Sequence, residues 1–258
     1  MTPFPLVCKI ITMLRRLVFV IVAFFSIIQL CNPEDDNLAK NILARADEIR
    51  FPRDPFQVNV KITTSSVDRQ PSVEQYQILC KGNERTTVIT TAPASERGQI
   101  LLMRDQDLWF FTPKVSQAIR LPLSQRLTGQ VSYGDLARSN FSGDYSPNLL
   151  RNETIENRQY YVLELNAKDR GVTYHQVLYW IDATDYRPYK AEFYTISGRH
   201  LKTCWYQMFS QVVGAVRPTT LIMEDALKGE KSVLEYSGFL LRDLPEKYFT
   251  KDYLKKLN

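Results

Sequence analysis

Two histidines, His175 and His200, are all this 258-residue chain has, and neither belongs to a metal-ligand spacing such as HExxH. Two isolated histidines are more often solvated or satisfied than catalytic. Cysteine is equally sparse. Cys8, Cys31, Cys80 and Cys204 form no CxxC pair, which excludes a zinc ribbon or a thioredoxin-like motif. No glycine-rich phosphate loop and no alternation of strands with helices appears, so a nucleotide-binding parallel sheet is excluded as well. Ser139 and Ser142 lie in no nucleophile-elbow pattern. No metal or cofactor is expected.

Long apolar runs are also missing, apart from Leu17–Ile28. That run follows Lys9, Arg15 and Arg16 and precedes the acidic Asn32-Pro33-Glu34-Asp35-Asp36. A basic stretch ahead of a short apolar one is the pattern of a secretory signal. Translation from Met13 would leave a signal of ordinary shape. The run is short for a span, since about 20 apolar residues are needed to cross a bilayer core. Residues 1–31 are therefore read as a signal peptide, with a retained N-terminal anchor as the alternative, and 32–258 as a single exported domain. Cys31 invites a lipoprotein reading, but Leu30 stands before it where a small residue is expected. Without residues 1–31 the formal charge falls from +5 to +2. That leaves no polyanion footprint, and no basic tract interleaved with aromatics points to nucleic acid.

What remains is rich in strand signals. Leu38, Ile42, Leu43, Ala46 and Ile49 fall at helical spacing, predicting one helix over about 37–50 closed by Pro52. From Phe56 the period becomes that of strands, with runs near 57–66, 73–81, 85–92, 98–104, 107–113 and 117–121. A second series lies near 159–166, 172–181, 188–195, 200–209, 218–225 and 230–239. Tight polar turns separate the runs, as in an antiparallel meander. Between the two series, Ser124–Tyr145 is expected to form short helical turns across the mouth of an open barrel. Leu244–Phe249 reads as a proline-started short helix closing one sheet edge.

Alternation within the runs gives one apolar, aromatic face: Met103, Phe111, Tyr161, Leu163, Tyr179, Ile181, Phe193, Leu221 and Tyr236. A single sheet of this length, covered only by short helices, is expected to enclose more volume than they can fill. The lid residues are Leu38, Ile42, Leu43 and Ile49 from the first helix and Leu127, Leu136 and Phe141 from the middle segment. Asp182, Asp185, Glu224 and Asp225 cluster near strand ends, as carboxylates of glycosidases do; they also suit ordinary turns. A Cys80–Cys204 bridge is open in an oxidising compartment, although buried free thiols suit the same positions.

Leu108-Trp109-Phe110-Phe111-Thr112-Pro113, followed by Arg120-Leu121-Pro122, Gly129 and Tyr133-Gly134-Asp135-Leu136, resembles the outer-membrane lipoprotein-sorting family, relatives of the periplasmic Lol-system lipoprotein carrier. Leu178-Tyr179-Trp180-Ile181-Asp182 and Arg187-Pro188 continue the likeness in order, over about 38–250. The resemblance implies a mainly β fold: a curved antiparallel sheet forming an open, unclosed barrel with short helices as a lid. It implies a periplasmic, monomeric carrier that shields acyl chains of lipoprotein or lipid on the way to the outer membrane, with an inner-membrane transporter as partner. An accessory lipid-binding protein of an inner-membrane exporter is the alternative, and a cell-envelope hydrolase or an edge-strand adaptor ranks below it. An integral barrel is disfavoured by Lys190 and Glu192 on the outward face. The family carrier latches its lid with an arginine before a proline at an early strand end; the matching place here holds Gly82, with Arg85 nearby.

Overall fold

Strand β1 (Phe56–Ser66) shows how the sequence builds the sheet. Phe56, Val58, Val60 and Ile62 are buried while Asn59 and Lys61 are exposed, the two-residue period of a strand with one covered face. A computed structural model describes residues 33–256 except Asn83, Ser139 and Lys228; the proposed signal or anchor at 1–31, with Cys8 and Cys31, lies outside the described residues, as does Ser139. Asp36–Asn258 is a compact unit.

Helix α1 (Pro33–Arg50) leads into β1. Strands β2 (Arg69–Lys81), β3 (Arg85–Ala92), β4 (Ile100–Arg104), β5 (Asp107–Thr112) and β6 (Val115–Leu121) follow as hairpins. The second meander runs β9 (Tyr145–Ile155), β10 (Arg158–Ala167), β11 (Gln176–Asp182), β12 (Pro188–Tyr194), β13 (His200–Val212), β14 (Ala215–Asp225) and β15 (Lys231–Leu241). Together they form one 13-stranded sheet in the order β6-β5-β4-β3-β2-β1-β15-β14-β13-β12-β11-β10-β9. Every ladder is antiparallel, and β6 and β9 do not pair. The chain thus adopts the expected mainly β, open antiparallel barrel with few short helices.

The strand order explains the lid. The two meanders join through β1 and β15, with Val60 opposite Tyr236, so β6 and β9 stand at opposite edges. The connection between them, residues 122–144, must travel from one edge to the other. It does so with Leu123, Val131, Leu136, Ala137 and Phe141 packed into the same core cluster as the strand side chains. The sequence predicts only short helical turns here, and the structure departs from that at the start of the connection. It begins as a small hairpin, β7 (Arg126–Thr128) with β8 (Val131–Ser132), and only then forms α2 (Tyr133–Ala137) and α3 (Phe141–Asp144).

Two further differences concern edges and faces. Strand β9, Tyr-Ser-Pro-Asn-Leu-Leu-Arg-Asn-Glu-Thr-Ile, lies outside the expected runs, because an edge strand tolerates Pro147 and needs little apolar alternation. The C-terminal segment covers a face rather than an edge: Leu244 and Phe249, with Leu254 of α4 (Lys251–Lys255), pack on Leu79, Ile100, Leu102 and Phe111.

Cys80 on β2 and Cys204 on β13 are free, and four strand-to-strand steps separate their strands. At about 4.8 Å per step that is on the order of 19 Å, far beyond disulfide reach. Burial pushes the Cys80 thiol up to about 11, against a Thr86 hydrogen bond that lowers it. Burial likewise pushes Cys204 up to about 12. In a chain carrying Cys8→Ser and Cys31→Ser, Cys204 should be silent toward a thiol reagent at pH 8 and Cys80 slow. Both should react after denaturation without reductant. A chain that yields no thiol when denatured would contain the bridge.

Candidate functional site

The side chains of one sheet face converge under α1 and the 122–144 connection. Met103, Leu163, Tyr179, Ile181, Phe193, Leu221 and Tyr236 are buried in one cluster, and Tyr161 packs partly buried against it. Phe111 does not belong there. It pairs with Ile100 and shares the opposite face with Leu102, under the C-terminal segment. The concave side of β5 is instead given by Leu108 and Phe110. Both faces of β5 are apolar because both are covered, so alternation alone could not fix its phase.

On the lid, Ile42, Leu43, Leu136 and Phe141 enter the same cluster and Leu127 packs partly buried against it. Leu38 is 42% exposed, and Ile49 is only partly buried. The true stripe of α1 is Ala39, Ile42, Leu43, Ala46 and Arg50. At about 100° per residue, Leu38 and Ile49 lie roughly 75–95° round from its centre.

Arg50 is the residue that sequence reasoning missed, although it falls on the stripe four residues after Ala46. Its guanidinium lies 4.2 Å from the Phe141 ring centroid and 5.8 Å from that of Tyr206. Its Nη1 reaches Asp47 at 3.3 Å. Asp47 faces the other lid piece: its Oδ2 accepts from Ser142 N and Ser142 Oγ, both at 2.7 Å. Burial raises the Asp47 carboxyl above its ordinary range, although Arg50 and Ser142 pull it down.

Two buried basic groups from the sheet hold the lid in place. Arg217 of β14 donates through Nη1 to Glu48 O and, at 3.2 Å, to Ile49 O. A cation thus meets the last carbonyls of α1, where a helix end is negative. Lys202 of β13 donates to Gln130 O and, at 2.7 Å, to Asp135 Oδ2. Arg85, near the expected latch position, pairs with Glu246 of the C-terminal segment at 2.7 Å instead.

Phe141 packs edge-on against Tyr145 and Tyr179, each at 5.5 Å, and Tyr174 lies 4.2 Å from Phe193. These rings fill the concave side. The void bordered by Arg50, Phe141, Tyr206 and Tyr236 is about 20 Å³, room for roughly one water. Among the described residues that border this void, aromatic side chains from both layers interdigitate and leave no room for an acyl chain with the lid in this position, whereas wider hollows of about 190 and 340 Å³ lie beside Gln130 and Lys202 and beside Pro122 and Arg170.

The acidic residues do not assemble. Asp182 and Asp185 flank the β11–β12 turn, where Asp182 Oδ1 accepts Thr184 N at 2.8 Å and Asp185 pairs with Arg187 at 3.2 Å. Glu224 binds Trp205 Nε1 at 3.1 Å, and Asp225 Oδ1 accepts Leu227 N at 2.8 Å. The register of β11 to β14 puts the two pairs three strands apart and about four residues along, on the order of 20 Å. His200 Nε2 lies 3.0 Å from Lys202 O, and His175 is exposed.

Residues 82–256 match a family model described as an uncharacterized protein. A crystal structure of a LolA superfamily protein from Nitrosomonas europaea is similar at 61% identity and TM-score 0.81, covering 83% of this chain and 98% of that one. Two more distant structures share the fold. An outer membrane lipoprotein-sorting protein domain from Vibrio parahaemolyticus matches at 21% identity and TM-score 0.72, covering 85% and 99% of the two chains. A DUF1329 family protein from Desulfovibrio piger matches at 18% identity and TM-score 0.73, with the same coverage. No curated protein matches.

Proposed function

This chain belongs to the LolA superfamily, and from that premise we propose that it is a periplasmic carrier that shields acyl chains of lipid or lipoprotein during transfer toward the outer membrane. The supporting observation is the lid itself: two separate segments bury apolar side chains on one concave face and are held to the sheet by a few polar ties.

With so small a void, binding is an exchange rather than an insertion. An acyl chain of 16 carbons gains about 13 kcal/mol on leaving water, at ~0.8 kcal/mol per CH₂. Exposing Ile42, Leu43, Leu136 and Phe141 in its place costs about 6–12 kcal/mol, at ~1.5–3 each. Lid exposure thus offsets between about half and nearly all of the gain, the direction that reversible loading and release require.

Native mass spectrometry of the protein purified gently from an exported source, followed by solvent extraction, should recover a stoichiometric acylated molecule. Arg217→Ala should speed uptake of a fluorescent acyl probe about tenfold, since two hydrogen bonds from a charged donor to the end of α1 are lost. A clean apo mass with no uptake of added lipids or lipopeptides by either protein would remove the carrier reading.

A further inference from the structure

We propose that the concave site takes an acyl chain ending in an oxyanion, a carboxylate or a phosphate, and that Arg50 and Tyr179 receive that head inside the protein. The inference rests on the carrier reading and adds the class of cargo.

Two buried donors carry it. Arg50 is 7% exposed and Tyr179 is fully buried, yet among the described residues neither Arg50 Nε–H nor the Tyr179 O–H finds an acceptor; the Tyr206 hydroxyl beside Tyr179 acts toward it as a donor. Arg50 and Tyr179 flank the same two rings. Phe141 touches both, with its ring 4.2 Å from the Arg50 guanidinium and 5.5 Å from the Tyr179 ring. Tyr206 does the same, at 5.8 Å and 5.9 Å. The Tyr179 phenol, raised mainly by burial, is held back by the nearby Arg50 charge. Arg50, though not Tyr179, also borders the small void, together with Phe141, Tyr206, Tyr236 and the Asp135 and Asp144 carboxylates, each of which is already paired with a cation, Lys202 and Arg138 respectively.

A carrier of neutral chains would gain by an aliphatic residue at this position of the α1 stripe, because an unmade hydrogen bond at a buried donor is costly. The guanidinium stays charged at any accessible pH and offers five N–H groups in a fork matched to carboxylate and phosphate. Asp47 uses little of that capacity: it meets Nη1 at 3.3 Å, and its Oδ2 is occupied by Ser142. One oxyanion between Arg50 Nε and Tyr179 Oη would satisfy both donors. Because Arg50 stands on the lid helix, the same contact would also tell the lid that a head has arrived.

The test uses the whole chain and ligands of one length: laurate, dodecyl phosphate and dodecanol, with acetate and inorganic phosphate as heads without chains. Affinities are read by displacement of a fluorescent acyl probe and by native mass spectrometry. Laurate, dodecyl phosphate or both should bind at least tenfold tighter than dodecanol. Arg50→Met should bring that ratio to about one while dodecanol binding persists. Tyr179→Phe, a milder change, should cut the ratio severalfold, and Arg50→Lys should restore part of it. Equal binding of anionic and neutral chains, or a ratio unchanged in both Arg50→Met and Tyr179→Phe, overturns the assignment and leaves the carrier intact. Displacement by acetate or phosphate as strong as by the acyl anions would reassign the site to small anions and overturn it too. Absence of binding by any acyl compound would remove the carrier reading together with this one.

Discussion

Lys202→Met should lower stability by about 3 kcal/mol, on the order of 6–12 °C in melting temperature for a domain of this size. Lys202 is 4% exposed and is paired with Asp135 at 2.7 Å, also buried. Removing the cation leaves a carboxylate in a closed site, and the cost is that of an uncompensated charge rather than the net worth of the pair. Asp135 keeps other donors, Tyr174 Oη at 2.7 Å and Ser132 N at 2.8 Å, which places the loss at the lower end of the usual range. Burial and Asp135 together push the Tyr174 phenol well above its ordinary value, so it remains a donor. Asp135→Asn added to Lys202→Met should recover at least 1 kcal/mol. Calorimetry checks both, and a loss under 1 kcal/mol for the single variant would mean that water reaches Asp135. The consequence for function is local, since Lys202 pins the 122–144 connection to β13. Amide exchange at Gln130 and Ser132 should accelerate before the sheet opens.

The face that carries this machinery was largely readable in the sequence. In β10 and β12 one side is covered by the lid and the other carries Glu164, Lys190 and Glu192, so Leu163 and Phe193 declared their phase; β11 has Leu178 and Trp180 on its second face, and Tyr179 and Ile181 share the lid face through their pairing with Leu163 and Tyr161. Phe111 failed because the C-terminal segment covers the second face of β5, and a strand buried on both sides has no alternation to read. Arg50 and Arg217 failed for a different reason. A charge on an apolar stripe or in a strand reads as a surface residue until its remote partner is known, and the partners here are the Phe141 and Tyr206 rings and the carbonyls of Glu48 and Ile49. The pairing of β1 with β15 leaves no local trace either, yet it sends the 122–144 connection from one sheet edge to the other. Nor could spacing show that aromatic rings from lid and sheet fill the space between them. Under the proposed carrier function, an acyl chain would therefore load by displacing the lid.

Gly129→Ala should cost about 2–4 kcal/mol, more than an alanine in open space can. Gly129 sits in the β7–β8 turn at φ +48°, a left-handed conformation that costs a residue with a Cβ about 1–2 kcal/mol. A Cβ there would also overlap the Thr64 and Ser232 hydroxyls and lie 2.6 Å from Thr64 Cγ2. Those hydroxyls cannot swing aside freely: they bond each other at 2.9 Å, and Ser232 Oγ accepts Gln130 N at 2.9 Å. Here the first turn of the lid connection is keyed to the β1–β15 seam at the middle of the sheet. Gly214→Ala is the control, because it shares a positive φ, +82°, and meets nothing within 4 Å. Subtracting its loss from that of Gly129→Ala isolates the overlap, expected at about 1–3 kcal/mol. If thermal melts give equal losses for the two, the seam yields and the turn is not fixed there. If they differ as expected, acyl probe uptake by Gly129→Ala should be faster than by Gly214→Ala, since the lid connection has lost its fixed point while the sheet beneath it is unchanged.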